Sequence, residues 1–318
     1  MKNKKIFNLH ALAARFALLV VFCAPILVHA FTGITIVMSA PTQANLSFVE
    51  EFKRELANSQ YSALKVKLID LSDSEKLVVA ENSELVIALG VNAFEASSKL
   101  KPTTPVLGVF IPLPVFNSVM EKSRRDLGNF SAIVLDQPYT RQMALVKTML
   151  PESKKVGILL SDTSVHNVDA LREGAEKSGL QIGAESLKQE TELIPKLNQI
   201  LQTNDVLLAI PDPIIYSRET VQPILLTSYR YQKPVFGFSQ SYVKAGALAA
   251  VYSTTAQLAR QAVELTALSQ QSQNQLLPPQ APKYFSVSIN QQVARSLTIA
   301  VSNEDAVEKK LLQLEQQP

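Results

Sequence analysis

One histidine, His166, is left for acid–base work once residues 1–30 are set aside, because His10 and His29 lie in that segment together with the single cysteine, Cys23. Covalent catalysis needs a nucleophile beside a base, and most transition-metal sites need several His or Cys donors. A chain body with one histidine and no cysteine points away from both. The nearest approach to a nucleophile motif is Gly237-Phe238-Ser239-Gln240-Ser241, which lacks the second glycine of a strained strand-to-helix elbow. There is also no Gly-rich phosphate loop and no dinucleotide fingerprint. The expectation is a protein that is not an enzyme and that uses neither metal nor cofactor.

What remains is the chemistry of reversible binding, carried by short polar loops that follow apolar runs. Ser39 and Thr42 come after residues 34–38, and their hydroxyls suit either a ligand or the cap of the helix that begins near Asn45. Gly90-Val91-Asn92-Ala93 follows residues 85–89 and offers backbone donors to a carboxylate, or simply ends a strand. Ser161 and Asp162 follow residues 155–160 and read as a helix cap or as a contact. Asp212, between Pro211 and Pro213, is an acceptor for a ligand ammonium or a turn-shaping residue. Tyr216 and Tyr242 are candidates for an aromatic wall, against the alternative that each closes a core. The ligand-binding set read from sequence is thus Ser39, Thr42, Asn92, Ala93, Ser161, Asp212, Tyr216 and Tyr242, with Asp212 foremost and His166 as a solvated residue.

These loops need elements to hold them. Strand-like runs at 34–38, 64–69, 85–89 and 106–110 alternate with helical spacing at 46–56, 74–80 and 91–100, the signature of a parallel sheet covered on both faces. Residues 133–135 end at Asp136-Gln137-Pro138, and a second series then begins: helices at 139–150, 166–177, 192–201 and 214–231, with strands at 155–160, 181–184, 206–210 and 234–236. A short helix at 239–243, a Gly/Ala-rich strand at 246–252 and an amphipathic helix at 255–268 follow. Residues 270–282 are rich in Gln and Pro and read as a loop; 284–289 alternates as a strand, 290–297 is a short helix and 304–314 a solvated one. The fold class expected is α/β, two Rossmann-like lobes with parallel sheets.

Residues 1–30 explain much of the bulk composition. Lys2, Lys4 and Lys5 precede an apolar stretch that is too short to span a bilayer, and Val28-His29-Ala30 has the small-residue pattern of a signal cleavage site. Cleavage after Ala30 is expected, with export to the periplasm; Phe22 before Cys23 argues against lipid attachment. That segment holds four basic residues and no acid, so the net charge of +3 falls to −1 on cleavage, which excludes a basic nucleic-acid binder.

The order of elements and several motifs resemble the periplasmic substrate-binding proteins of the type I fold, in particular the ABC transporter substrate-binding family that includes tryptophan and phenylalanine binders. The residues that carry this are Pro234-Val235-Phe236-Gly237, then residues 243–249 (Val-Lys-Ala-Gly-Ala-Leu-Ala), Leu258-Ala259-Arg260-Gln261-Ala262, and Val287-Ser288-Ile289-Asn290 with Ala294. Leu150-Pro151 and Lys155-Val156-Gly157-Ile158 support them. The resemblance implies two lobes joined by three crossings, residues 31–136 with 237–279 and residues 137–236 with 280–318. It also implies a monomer that closes on a small-molecule ligand and delivers it to an ABC permease; the alternative partner is a membrane sensor to which the protein reports its ligand. Loops that read roughly Thr-Asp-Pro and Thr-Asp-Asn in aromatic amino-acid binders are here Ile111-Pro112-Leu113-Pro114 and Ile210-Pro211-Asp212-Pro213. A small carboxylate-bearing ligand, an amino acid or related metabolite, is expected from the helix N-termini at the strand ends. The absence of Trp argues against sugars.

Overall fold

A computed structural model describes residues 33–71, 77–272 and 275–316 of the chain. The signal segment and Cys23 lie outside the described residues, as does the start of the helix expected from residue 74.

β-Branched and apolar runs form the strands of a first sheet. In chain order these are β1 (Gly33–Met38), α1 (Gln43–Ala57), β2 (Lys65–Asp70), α2 (Leu77–Ala80), β3 (Leu85–Leu89), α3 (Val91–Ser97), β4 (Val106–Ile111), α4 (Leu113–Lys122) and β5 (Phe130–Val134). All pairings are parallel, in the order β2-β1-β3-β4-β5. Such a sheet must be covered on both faces, which is why β3 is buried along its whole length and reads as an uninterrupted apolar run. On one face Val86, Ala88, Val106 and Ala132 pack with Phe94, Phe116 and Phe130, the Phe94 and Phe130 rings stacking at 4.4 Å. Helix α4 is absent from the sequence expectation, in which Ile111-Pro112-Leu113-Pro114 reads as a loop. Both prolines sit at the helix start, where a missing N–H costs little.

The second sheet repeats the plan. It contains α5 (Tyr139–Met149), β6 (Lys155–Leu160), α6 (Val168–Lys177), β7 (Gln181–Ser186), α7 (Leu193–Thr203), β8 (Val206–Leu208), α8 (Val221–Arg230), β9 (Val235–Gly237), α9 (Gln240–Ala245) and β10 (Ala249–Tyr252). The chain then gives α10 (Thr255–Gln271) to the first sheet and returns for β11 (Ser286–Ile289), α11 (Gln291–Ser296) and α12 (Glu304–Glu315). The strand order is β11-β10-β9-β8-β6-β7, with β11 antiparallel to β10 and the rest parallel. Ile158, Leu160, Phe236 and Val251 face Met143, Leu171 and Leu311 on one side. Leu159, Leu207 and Val235 face Leu197 and Ile224 on the other.

Two expectations are corrected. The sequence puts the return to the first lobe at Gly237, but β9, α9 and β10 all belong to the second sheet, and the chain leaves it only at Ser253. The six-residue α9 is a short crossover that sets β10 parallel beside β9, with Ala249 opposite Phe236. Gly237 lies inside the sheet, where a Cβ would meet the Tyr242 ring at 2.8 Å. The helix expected over 214–231 is confined to Val221–Arg230. Thr220 Oγ1 donates to the Ile215 carbonyl (2.6 Å) and accepts from Ser217 N (2.9 Å), so residues 215–220 form a hydroxyl-braced turn instead.

Candidate functional site

In a parallel α/β sheet, ligands lie beyond the carboxyl ends of the strands, and here those ends belong to two sheets linked by three neighbouring crossings. The first crossing runs from β5 to α5, the second from β10 to α10, and the third through residues 280–285. Gln137 Nε2 donates to Ser253 Oγ (2.8 Å), which donates to the Tyr284 carbonyl (2.6 Å), so one chain of hydrogen bonds ties all three. Arg141 braces the same region. Its guanidinium donates to Gln137 Oε1 (2.7 Å), the Pro282 carbonyl (2.9 Å) and both oxygens of Glu315 (2.5 and 3.0 Å), and it stacks on Phe285 at 4.2 Å.

The loops of the second lobe converge on Asp212. Its Oδ2 accepts from Ser161 Oγ (2.7 Å), Ser164 Oγ (2.5 Å) and Ser161 N (3.2 Å), while Oδ1 accepts from Ile214 N (2.9 Å) and Ile215 N (3.2 Å). The carboxylate is 2% exposed. Burial pushes its pKa up, and the bonds from Ser164, Ser161, Ile215 and Ile214 outweigh this and hold it below the usual value. Five donors use up the lone pairs of a carboxylate. Asp212 and Ser161, both in the expected binding set, are therefore brought together, but as partners of each other. The decisive partner that sequence reasoning missed is Ser164, three residues past Ser161 on the same loop.

Tyr216 and Tyr242 are also brought together, ring centroids 5.9 Å apart in an edge contact, with half-buried Phe238 at 6.0 and 5.3 Å. Ser239 caps α9 by accepting from Tyr242 N (3.2 Å), which fixes the backbone that carries this ring. Both tyrosines are buried within the α7–α8 side of the second sheet, and neither hydroxyl has a hydrogen-bond partner among the described residues. Burial, followed by the neighbouring Tyr242 and Asp212, raises the Tyr216 pKa well above normal.

In the first lobe Thr42 acts as the N-cap of α1, its Oγ1 accepting from Asn45 N (3.2 Å). Ser39 is half-buried and adjoins Gly90: a Cβ placed on that glycine would lie 3.9 Å from Ser39 Oγ. Gly90 has φ +84°, which a side chain would resist, and it turns the chain into α3, where Asn92 is exposed and Ala93 buried. The loops of Ser39 and Asn92 are thus neighbours, while Thr42 caps α1 and Ala93 is buried. Phe110 is a residue that sequence gave no reason to single out. It occupies φ +63° at a register shift between Val109 and Ile111, and its half-buried ring meets Phe48 edge-on at 5.6 Å. Left-handed backbone in a bulky residue at the carboxyl end of a strand is the kind of strain that clusters at functional sites.

A groove of about 1120 Å³ lies elsewhere, on the outer helices α5, α6 and α12. Three of its four cations are committed within the protein: Arg141 to Glu315, Lys147 to the Pro151 and Ser153 carbonyls, Lys177 to Glu173; the fourth, Lys310, is exposed. The strand ends, not this groove, form the candidate site.

Residues 49–310 match the family model of the ABC transporter substrate binding proteins. A "Tyrosine-binding protein" from Clostridioides difficile (strain R20291) is 23% identical over 175 residues, 54% of this chain, which spans half the length of that relative. Among solved structures, an ABC domain from Streptococcus pneumonia in complex with L-Trp is similar with a TM-score of 0.58 and 18% identity, over 88% of this chain and 98% of that one. A ligand-free, open substrate binding protein with adhesive properties from Clostridium difficile is similar with a TM-score of 0.68 and 16% identity, over 86% and 97%. Both likenesses are of fold, the two-lobed type I binding-protein architecture.

Proposed function

The chain belongs to the ABC transporter substrate binding protein family, and from that membership we propose that it captures a small amino-acid-like ligand between its lobes and hands it to an ABC permease without transforming it. The observation that carries this reading is the joining of two sheets, one parallel and the other parallel except for β11, by three hydrogen-bonded crossings, an arrangement suited to hinge closure on a ligand. Amino-acid binding is supported by the names of the relatives above, a tyrosine-binding protein and an L-Trp complex. In this reading the chain is exported by cleavage after Ala30 and works in the periplasm as a monomer. Among the described residues no helix is long and apolar enough to cross a membrane.

On the first lobe, the Ser39 hydroxyl and the backbone of the Gly90–Asn92 turn are the groups that would meet a ligand carboxylate, through N–H donors at the start of α3. The test is calorimetric titration and thermal shift with L-tyrosine, L-tryptophan, L-phenylalanine and a wider amino-acid set. A ligand present at one hundred times its dissociation constant is expected to stabilise the folded protein by about 2.7 kcal/mol. A panel without any stabilising member would remove the reading.

A further inference from the structure

Asp136 lies at the first crossing, two residues beyond β5. Its Oδ2 accepts a hydrogen bond from Leu113 N (2.6 Å), the first residue past the loop that ends β4. The charge of His166, which follows β6 in the other lobe, acts on it as well. Asp136 therefore sits at the first crossing between the carboxyl ends of β4 and β5.

Its surroundings differ from those of Asp212 in ways that matter for a ligand. Among the described residues no side chain donates a hydrogen bond to Asp136 and no lysine or arginine forms an ion pair with it. Its hydrogen bonds come from backbone N–H groups alone, those of Leu113 and of Asp136 itself. Two adjoining residues, Leu113, whose N–H it accepts, and Leu135, which precedes it in the chain, carry open apolar side chains, 38% and 41% exposed. Burial raises the pKa of Asp136, with the Leu113 N–H, its own N–H and the charge of His166 pulling the other way. A carboxylate held in place, half-buried among apolar groups and short of donors is a strong acceptor for a cation that brings its own N–H groups.

We propose that Asp136, and not Asp212, reads the ligand: its carboxylate accepts the ammonium of a primary-amine-bearing molecule whose apolar body rests on the open side chains of Leu113 and Leu135. This rests on the solute-capture reading above and narrows it to a cationic nitrogen attached to an apolar or aromatic group.

The test compares wild type with Asp136→Asn by calorimetric titration against three probe sets. These are L-tyrosine, L-tryptophan and L-phenylalanine; their amines without the carboxylate, such as tyramine; and their acids without the amine, such as 3-(4-hydroxyphenyl)propanoate. Asparagine keeps an acceptor for Leu113 N, and an unchanged melting temperature shows that the fold is intact. Every probe with an ammonium that binds wild type is expected to bind Asp136→Asn at least about tenfold more weakly, while affinity for acids without an amine does not change. In wild type alone, removing the amine from the best amino acid is expected to cost at least about tenfold, an arm that stands even if the variant does not fold. An ammonium-bearing ligand with unchanged affinity for Asp136→Asn, or hits confined to acids without an amine, would overturn the assignment and leave solute capture standing. No binding by any probe would remove both.

Discussion

Asp212 and Asp136 each follow a buried parallel strand on the candidate-site side of the molecule, and their surroundings pull them in opposite directions. Around Asp212 the second lobe gathers two serine hydroxyls and three backbone N–H groups, and its carboxyl titrates below normal. Around Asp136 the crossing supplies one N–H from a neighbouring loop and a set of open apolar side chains, and its carboxyl titrates above normal. The difference teaches that an acid at a strand end is not a ligand contact by position alone. What counts is whether folding has already saturated it. A saturated carboxylate organises loops, whereas an under-served one stores an interaction that a ligand can complete.

The comparison is broken most directly by removing the saturated acid. Asp212→Ala is expected to destabilise the protein by about 3–5 kcal/mol, because several buried donors lose their acceptor at once. Urea unfolding measures this, and a loss below about 1 kcal/mol would show that the five bonds are not what holds the Ser161–Ser164 loop. Asp136→Asn should behave in the opposite sense. Its stability is expected to stay within about 1 kcal/mol of wild type, while the ammonium-dependent affinity falls at least about tenfold. A variant that lost stability and kept affinity would exchange the two roles.

The two acids also predict opposite pH trends. Asp212 has a folded pKa below its ordinary 3.8, so the stability it contributes is present above 3.8 and is lost as pH falls through the lower folded value. Asp136 has a folded pKa above 3.8, so its contribution is present below 3.8 and is lost as pH rises through the raised value. Tyr139 and His166 are the titratable groups whose charges couple to it. Urea midpoints measured without ligand should therefore move in favour of Asp136→Asn over wild type as pH rises from about 4. Affinity for an ammonium ligand should fall as pH drops through the same range, since a protonated Asp136 loses its charge. Parallel urea curves for the two proteins would contradict the raised pKa.

Most of the architecture was legible because buried parallel strands are apolar along their length and alternate with helices of 3.6-residue period. The parts that were not legible have physical reasons. The Ala-rich run at β10 gives no sign of which sheet it joins, since that depends on the short α9 crossover. The turn at residues 215–220 has helical spacing, but Ser217 and Thr220 redirect the backbone with their own hydroxyls. The left-handed Phe110 has no composition cue, because such strain is imposed by the fold around it. At the site, loops could be chosen from sequence but residues could not. Asp212 and Asp136 both read as an acid beside a proline-containing turn, and only the count of converging donors separates them.

The smallest expected effect tests whether the second lobe holds any other unsatisfied group of the same kind. Tyr216 and Tyr242 are buried, touch edge to face, and have hydroxyls without partners among the described residues. A buried hydroxyl without a partner costs free energy, and replacing tyrosine by phenylalanine keeps nearly all of the ring packing. Tyr242→Phe and Tyr216→Phe are therefore each expected to leave stability unchanged or to raise it by up to about 1 kcal/mol, measured by urea unfolding without ligand. If these tyrosines close a core, ligand affinity in either variant stays within about twofold of wild type, since the apolar interior of the second sheet is the same with or without the oxygen. If instead one of them lines the ligand, its variant keeps its stability and loses affinity. That result would place a second under-served group opposite Asp136 and make the reading of the ligand a property of both lobes.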